Sequence, residues 1–327
     1  MRVVYFGTPD FAVPALESLA ADDQFDVRLV VSQPDRPAGR GRVVGSSPVA
    51  VAARGLGVRL YQPGTLRSAE DRAPLVATEA DVFVVAAFGL IFGRATLAIP
   101  RVGCVNLHAS LLPRYRGASP ILAAILSGKT MTGVTMMEMD AGLDTGGVIA
   151  EIEEAILADD TTDSLSLRLA QSAATLVGDE LPHYIAGRRA ARPQPARGAS
   201  LTRLISKADG WLQWTRPASD LERQVRAMWS WPRAWTTVGD DQLQVHRARV
   251  VPEPVGTSEP GTLVGQEPTP VVVCGTNALS LEVVQLAGRK PSEGSAFVRG
   301  LRFGGGLVLG ERGAPEVAAP LVVPIPE

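Results

Sequence analysis

The chain is poor in the residues on which several protein classes depend. It has two cysteines, Cys104 and Cys274, far apart and in no metal or redox spacing. That excludes a disulfide framework and a thiol-redox motif, and both thiols are expected as small buried residues in a reducing compartment. Histidines number three, with no ligand cluster around them, so no metal is expected. No run of ~18 apolar residues occurs, so no membrane-spanning helix is expected. The first residues, Met1-Arg2-Val3-Val4-Tyr5-Phe6-Gly7, lack the apolar core and small-residue cleavage site of a secretory signal. A soluble, cytoplasmic protein is the expectation. A formal net charge of −2 excludes a global polycation, so any nucleic-acid contact must come from local charge.

What is present suits two domains, with 327 residues of which 46% are hydrophobic. Residues 3–6 form an apolar run closed by Gly7-Thr8-Pro9-Asp10, residues 11–20 have helical spacing, and residues 26–32 read as a second strand. This is the opening of a parallel α/β sheet. Its first turn lacks the G-x-G-x-x-G pattern that lets backbone approach a pyrophosphate, which argues against a nicotinamide oxidoreductase. Helices are expected over 48–54, 69–78, 93–99 and 118–126, and strands over 59–61, 81–87, 103–108, 131–139 and 148–156. A long helix follows, with Thr162 or Asp163 as N-cap, running to about residue 185. The run Asp81-Val82-Phe83-Val84-Val85-Ala86-Ala87 has the near-continuous apolarity of a central strand buried on both faces.

The chemistry points to Val105-Asn106-Leu107-His108-Ala109-Ser110-Leu111-Leu112-Pro113. On a strand, Asn106 and His108 share a face because side chains alternate. At a strand end that face opens on the crevice where α/β proteins bind ligands. An amide donor beside a titratable ring suits a reaction in which a carbonyl oxygen becomes an oxyanion. Such a ring needs a carboxylate partner. Asp140 and Asp144, in the turn-rich stretch 140–147, are both candidates, and spacing does not choose between them. His183 reads as a structural helix residue and His246 as a surface contact on a β segment.

Two segments concentrate positive charge. Gln33-Pro34-Asp35-Arg36-Pro37-Ala38-Gly39-Arg40-Gly41-Arg42 is a loop without a hydrophobic anchor, longer than a usual βα connection. Between residues 187 and 207 lie Arg188, Arg189, Arg192, Arg197, Arg203 and Lys207 with no acidic residue, which reads as an electropositive linker. Beyond it come a helix over 218–228 and short strands over 234–238, 243–248, 261–264, 271–274, 279–284 and 300–303, the texture of a small barrel or sandwich. The Pro- and Val-rich tail from 315 is expected along a surface.

Asn106-x-His108-x-Ser110-Leu111-Leu112-Pro113, then Gly117-Ala118-x-Pro120, then Met139-Asp140-x-Gly142-Leu143-Asp144-Thr145-Gly146, resembles the folate-dependent formyltransferases. Gly7-Thr8-Pro9-x-Phe11, the Arg loop and Trp231-Pro232 extend the resemblance to the members that act on methionyl initiator tRNA. It implies a fold of an N-terminal doubly wound, Rossmann-like, mostly parallel sheet plus a small C-terminal OB-like β-barrel. The implied units are a catalytic domain over 1–187, a basic linker over 188–207 and a tRNA-binding barrel over 208–327. The resemblance implies a catalytic trio of Asn106, His108 and Asp144. It implies folate contacts from Phe88, Gly89, Leu90, Ser110, Leu111, Leu112, Pro113 and Asp140, and tRNA contacts from Arg36, Arg40, Arg42, Arg188, Arg189, Arg203 and Lys207. The implied co-substrate is 10-formyltetrahydrofolate, leaving as tetrahydrofolate, with no metal, and a monomer is expected. Two departures stand out: Ala109 where many members have Gly, and Arg rather than Lys in the linker, which exchanges point charges for planar forks. Relatives acting on a sugar nucleotide or glycinamide ribotide, a formyltetrahydrofolate hydrolase, and a non-catalytic RNA-binding module are the alternatives; length, loop and linker favour tRNA.

Overall fold

In a computed structural model the chain is described over residues 1–38, 43–252, 258–264, 269–300, 307–316 and 319–326. In chain order, β1 (Arg2–Gly7), α1 (Val13–Ala21) and β2 (Asp26–Val31) open the fold. A small hairpin of β3 (Arg36–Ala38) and β4 (Val43–Gly45) follows, then α2 (Pro48–Gly55), β5 (Leu60–Tyr61), α3 (Ala69–Val76), β6 (Val82–Ala86), α4 (Arg94–Leu97) and β7 (Gly103–His108). The rest of this half comprises β8 (Arg116–Gly117), α5 (Pro120–Leu126), β9 (Met131–Glu138), β10 (Val148–Ala155) and α6 (Thr162–Ile185).

Seven of these strands form one sheet in the order β10-β9-β7-β6-β1-β2-β5. The five from β7 to β5 run parallel, and β9 and β10 are antiparallel to their neighbours. Alternation in β1 explains the layers. Val3 and Tyr5 face the core beneath α1 and α6, whereas Val4 and Phe6 face a second core with Phe83, Phe88 and Phe92. Each fully buried side chain of this size contributes roughly 1.5–3 kcal/mol of hydrophobic stabilisation. The chain leaves β1 toward β2 and then crosses to β6 on the other side, so the order reverses beside β1, where open α/β sheets bind ligands. The N-cap of α6 is Thr161, one residue before the earlier of the two expected positions. Its hydroxyl accepts from the Ser164 N–H and the Ser164 hydroxyl accepts from the Thr161 N–H, a reciprocal box.

The second half contains β11 (Ser200–Thr202), α7 (Ala218–Ala227), β12 (Ala234–Val238), β13 (Asp241–Val251), β14 (Leu263–Val264), β15 (Val271–Val273), β16 (Ala278–Leu286), β17 (Ser292–Glu293), α8 (Gly294–Gly300) and β18 (Val322–Pro324). Strands β12 to β17 make a curled antiparallel sheet, a half-barrel. The strand expected over 300–303 is not there at its start, because Gly300 closes α8, and residues 301–303 lie outside the described residues.

The connecting segment differs from a solvated linker. Arg192 exchanges backbone hydrogen bonds with Val148 at 2.7 and 2.8 Å. Strand β11 then pairs in parallel with β8 and antiparallel with β18, so the tail returns to the first half as a third strand. Hydroxyls that alternate inward make this possible: Ser200 and Thr202 are buried while Leu201 faces out.

Candidate active site

Strand β7 delivers Asn106 and His108 to one face, and the segments after β7 and β9 close around them. His108 is 6% exposed. Its Nε2 lies 2.9 Å from the Tyr115 carbonyl, which can only accept, so Nε2 carries a proton. Its Nδ1 lies 3.7 Å from Asp144 Oδ2, an ion-pair distance and too long for a hydrogen bond. Asn106 donates from Nδ2 to Asp144 Oδ1 at 3.3 Å, and Oδ2 accepts from the Gly117 N–H at 2.7 Å. One carboxylate therefore touches the amide, the ring and a backbone donor.

The choice between two aspartates, open on spacing and given to Asp144 by the resemblance, has its physical reason in the turn between them. Asp140 is exposed and accepts from the Gly142 N–H and the Thr145 hydroxyl, so its carboxylate builds the loop. Asp144 sits at φ +52°, in the left-handed region that Asp tolerates better than most residues, and this aims its side chain at β7.

The segment after β6 presents its backbone, the part of Phe88–Leu90 through which the resemblance implies contact. Phe88 is buried, with its ring centroid 5.3 Å from Phe6 and 6.2 Å from Phe92. What it offers is its carbonyl, which accepts from the Thr8 hydroxyl and from Gln33 Nε2. Positive φ at Ala87 and Gly89 turns the chain so that Ala87, Gly89 and Ile91 are exposed and Leu90 is half-buried. Ile91, 92% exposed, and Leu143, 57% exposed, are two apolar side chains held out to solvent on the segments after β6 and β9.

The stretch 110–113 is likewise built into the protein. Ser110 is buried and its hydroxyl donates to the Arg114 carbonyl, so it holds the turn. Leu112 is buried against Met137 and Val148, and its N–H donates to the Thr135 hydroxyl. Leu111 is half-buried over Gly133, where a Cβ would lie 2.6 Å from the leucine Cδ2. The Pro113 carbonyl accepts from the Ser200 N–H.

The expected basic contacts are divided. Arg40 and Arg42 lie outside the described residues, and only the backbone of Arg36 is described, in β3. Arg189 pairs with Glu180 and Arg203 with Asp209, carboxylates brought from outside the linker, so neither guanidinium is the free cation that its sequence neighbourhood suggested. Arg188 donates to His183 Nδ1, and the Lys207 ammonium lies 5.5 Å from the Trp235 ring centroid. His246 pairs with Gln285, far in the half-barrel. Burial pushes the Cys104 thiol up to about 12, as a structural cysteine requires.

Five contributors went unseen in the sequence: the Tyr115 carbonyl, the Gly117 N–H, Ser200, Arg116 and Gln194. The first two are backbone groups, which carry no residue signal. Ser200 accepts from the Tyr115 N–H at 2.9 Å. Gln194 lies between two prolines, a setting that reads as spacer. Among the described residues no group of three or more His, Cys, Asp or Glu could hold a metal ion, and no helix is long and apolar enough to cross a membrane.

The formyl transferase family model matches residues 1–179, and the model for the formyl transferase C-terminal domain matches residues 204–302. A methionyl-tRNA formyltransferase of Sorangium cellulosum is 44% identical over 312 residues, covering 95% of this chain and 100% of the relative. One from Paramagnetospirillum magneticum is 43% identical over 319 residues, with the same coverage. In fold, the chain is similar to an N-formyltransferase from Helicobacter canadensis, solved with folinic acid and dTDP-3-aminofucose, at TM-score 0.63 and 17% identity, covering 85% of this chain and 98% of that one. On these matches the chain belongs to the formyl transferase family, among the methionyl-tRNA formyltransferases, and is a one-carbon transferase enzyme.

Proposed function

We propose that the protein transfers the formyl group of 10-formyltetrahydrofolate to the α-amino group of methionyl initiator tRNA, with Asn106, His108 and Asp144 as its catalytic residues. The observation that carries the reading is the single carboxylate shared by the two side chains of β7 and by the Gly117 N–H. The neutral amine attacks the formyl carbon, and the carbonyl oxygen takes up negative charge. Asn106 donates to that oxygen from its second amide hydrogen, which no described residue engages. The Tyr115 carbonyl holds Nε2, so the protonated ring donates to the oxyanion through Nδ1. Asp144 steadies the charged ring and takes the amine proton directly or through one water. The intermediate then collapses: the bond from the carbon to the folate nitrogen breaks, and the proton held by Asp144 passes to that nitrogen, directly or through one water, releasing tetrahydrofolate.

Ile91 and Leu143 suit the faces of a flat heterocycle, and the carbonyls and N–H groups of 87–91 suit its polar edge. In this reading Phe88, Gly89, Leu90 and Asp140 act through backbone and loop shape, and Ser110, Leu111, Leu112 and Pro113 shape the wall. Residues 1–187 form the catalytic unit, 188–207 the connection, and 208–327 the unit that grips the tRNA of a monomeric enzyme. Phosphates of the acceptor stem are the proposed partners of Arg36, Arg40 and Arg42, joined by Arg188, Arg189, Arg203 and Lys207.

The test is formylation of charged initiator tRNA with 10-formyltetrahydrofolate as donor. Removing an oxyanion donor typically costs a factor of about 10²–10³. Asn106→Ala and His108→Ala are expected to lose at least that in kcat with folate binding intact. Near-wild-type turnover in either variant would sink the assignment.

A further inference from the structure

We infer that Gln194, in the segment connecting the two units, is a positioning residue that sets Asp144, and that Arg116 sets the direction of the Gln194 amide. The inference rests on the catalytic reading of Asp144 given above.

The hydrogen bonds assign the amide without ambiguity. The Arg116 guanidinium donates to Gln194 Oε1 from Nε at 3.1 Å and from Nη2 at 2.7 Å. Guanidinium has donors only, so the atom facing it is the oxygen. The amide nitrogen then points the other way and donates to two carbonyls, those of Asp144 and Gly146, each at 2.8 Å. Both donors of one amide are spent on the short turn that aims the Asp144 carboxylate.

That turn needs a hold. Asp144 is at φ +52°, and Gly146 passes so close to β9 that a Cβ there would lie 2.0 Å from the Glu138 carbonyl oxygen. The two ends of the aspartate are held by one dipeptide. The Gly117 N–H takes the carboxylate Oδ2, and the neighbouring Arg116 side chain, through Gln194, takes the backbone carbonyl. The hydrogen bonds thus close a ring through three segments remote in sequence. Gln194 is itself anchored, because Arg192 is bridged to Val148 on one side and Ser200 is bound to Pro113 and Tyr115 on the other. Pro193 and Pro195 restrict the backbone between these anchors. The connection is therefore a support of the catalytic site as well as a tether.

Gln194→Glu separates this role from simple packing. It keeps the size and strengthens the pairing with Arg116, but it places an oxygen against two carbonyl oxygens. Gln194→Met keeps the volume and removes donor and acceptor together. If Gln194 positions Asp144, Gln194→Glu loses at least as much as Gln194→Met. The expected loss is about 10–100-fold in kcat, the scale of an ångström-level misplacement of a catalytic group. KM for charged tRNA and for the formyl donor stays within about threefold, since binding is not what the amide serves. Hydrogen exchange of the backbone amides over 140–147 rises about tenfold or more in both variants, a readout independent of turnover.

Wild-type kcat in Gln194→Glu, or a loss confined to KM for charged tRNA, would overturn the inference, as would unchanged exchange over 140–147. Wild-type enzyme and Asn106→Ala run in the same assay. If wild-type enzyme forms no formyl-methionyl product, the functional reading fails, and the exchange measurement still decides whether Gln194 holds the turn.

Discussion

Strand β7 and the connecting segment reach the same aspartate from opposite sides and by different physics. The strand is buried and apolar, and its two polar side chains are aimed by the pleat alone: Asn106 and His108 face one way because Cys104, Val105 and Leu107 are locked in cores. The connecting segment is Pro-rich and polar, and it works through hydroxyls, an amide and backbone. Ser200, Thr202 and Gln194 grip residues 113–119 and 144–146, the stretches that supply the Tyr115 carbonyl and the Gly117 N–H. The groups proposed to react are thus displayed by a regular element, and their surroundings are held by an irregular one. Loss of either is expected to disable the site, the first by removing chemistry and the second by removing aim.

The sharpest way to break this contrast is Gly117→Ala. Gly117 is at φ +97°, and a Cβ there would lie 2.3 Å from the Thr202 carbonyl oxygen, so alanine pushes β8 off β11. The Gly117 N–H then leaves Asp144. A loss of about 10²-fold or more in turnover is expected, with a fall of roughly 1–3 kcal/mol in unfolding free energy from the backbone conflict. Measured turnover like that of wild type would show that the site does not lean on the connecting segment.

A contact away from the site should give the converse, stability lost and chemistry kept. Asp160, 2% exposed, stands just before α6, and its carbonyl accepts from Arg226 of α7, so it lies where the two halves also meet. Burial alone would raise its carboxyl. Hydrogen bonds from Arg168, Ser164 and the Leu157 N–H, with the Arg168 charge, prevail and lower it from the ordinary 3.8 to about 2. A carboxyl depressed by folding stabilises above its unfolded value and ceases to do so as pH falls through its folded value. Asp160→Asn is therefore expected to cost about 2 kcal/mol near neutral pH, with the gap to wild type closing between about pH 4 and 2. Denaturant unfolding across that range checks it, and kcat near neutral pH is expected to stay at the wild-type level.

The smallest effect belongs to the linker charges. Arg189 and Glu180 form an exposed pair, so Arg189→Ala is expected to change stability by under about 1 kcal/mol. Because that guanidinium is already paired, the salt dependence of tRNA binding should shift less than on neutralising Arg188. Equal shifts would show that the pair opens for phosphate.

The legible parts of this molecule were those with a period. Strand β7 begins and ends where alternation puts it, at Gly103–His108, and β12 likewise, at Ala234–Val238. The N-cap of α6 was off by one because three consecutive residues, Thr161, Thr162 and Asp163, can all cap, and only the contact with Ser164 selects Thr161. The ring of Phe88 turns inward, where no period marks it, because three other phenylalanines of the second core complete their packing with it. Gly300 was read as the start of a strand and closes a helix instead, since Phe297-Val298-Arg299 ahead of it suit a helix or a strand alike.

Local pattern, by itself, was enough to determine a parallel α/β half, a β-rich half, and an amide and imidazole on one strand face. These follow from side-chain alternation and apolar runs, which act within a few residues. The tertiary structure decided what local pattern left open: that Asp144, the aspartate the resemblance implies, meets that face, that Arg189 and Arg203 of the basic linker pair with carboxylates, and that Gln194 donates to the turn carrying Asp144. The contacts of Asp144 and Gln194 join segments far apart in the chain, and no local preference encodes which distant group a donor will find.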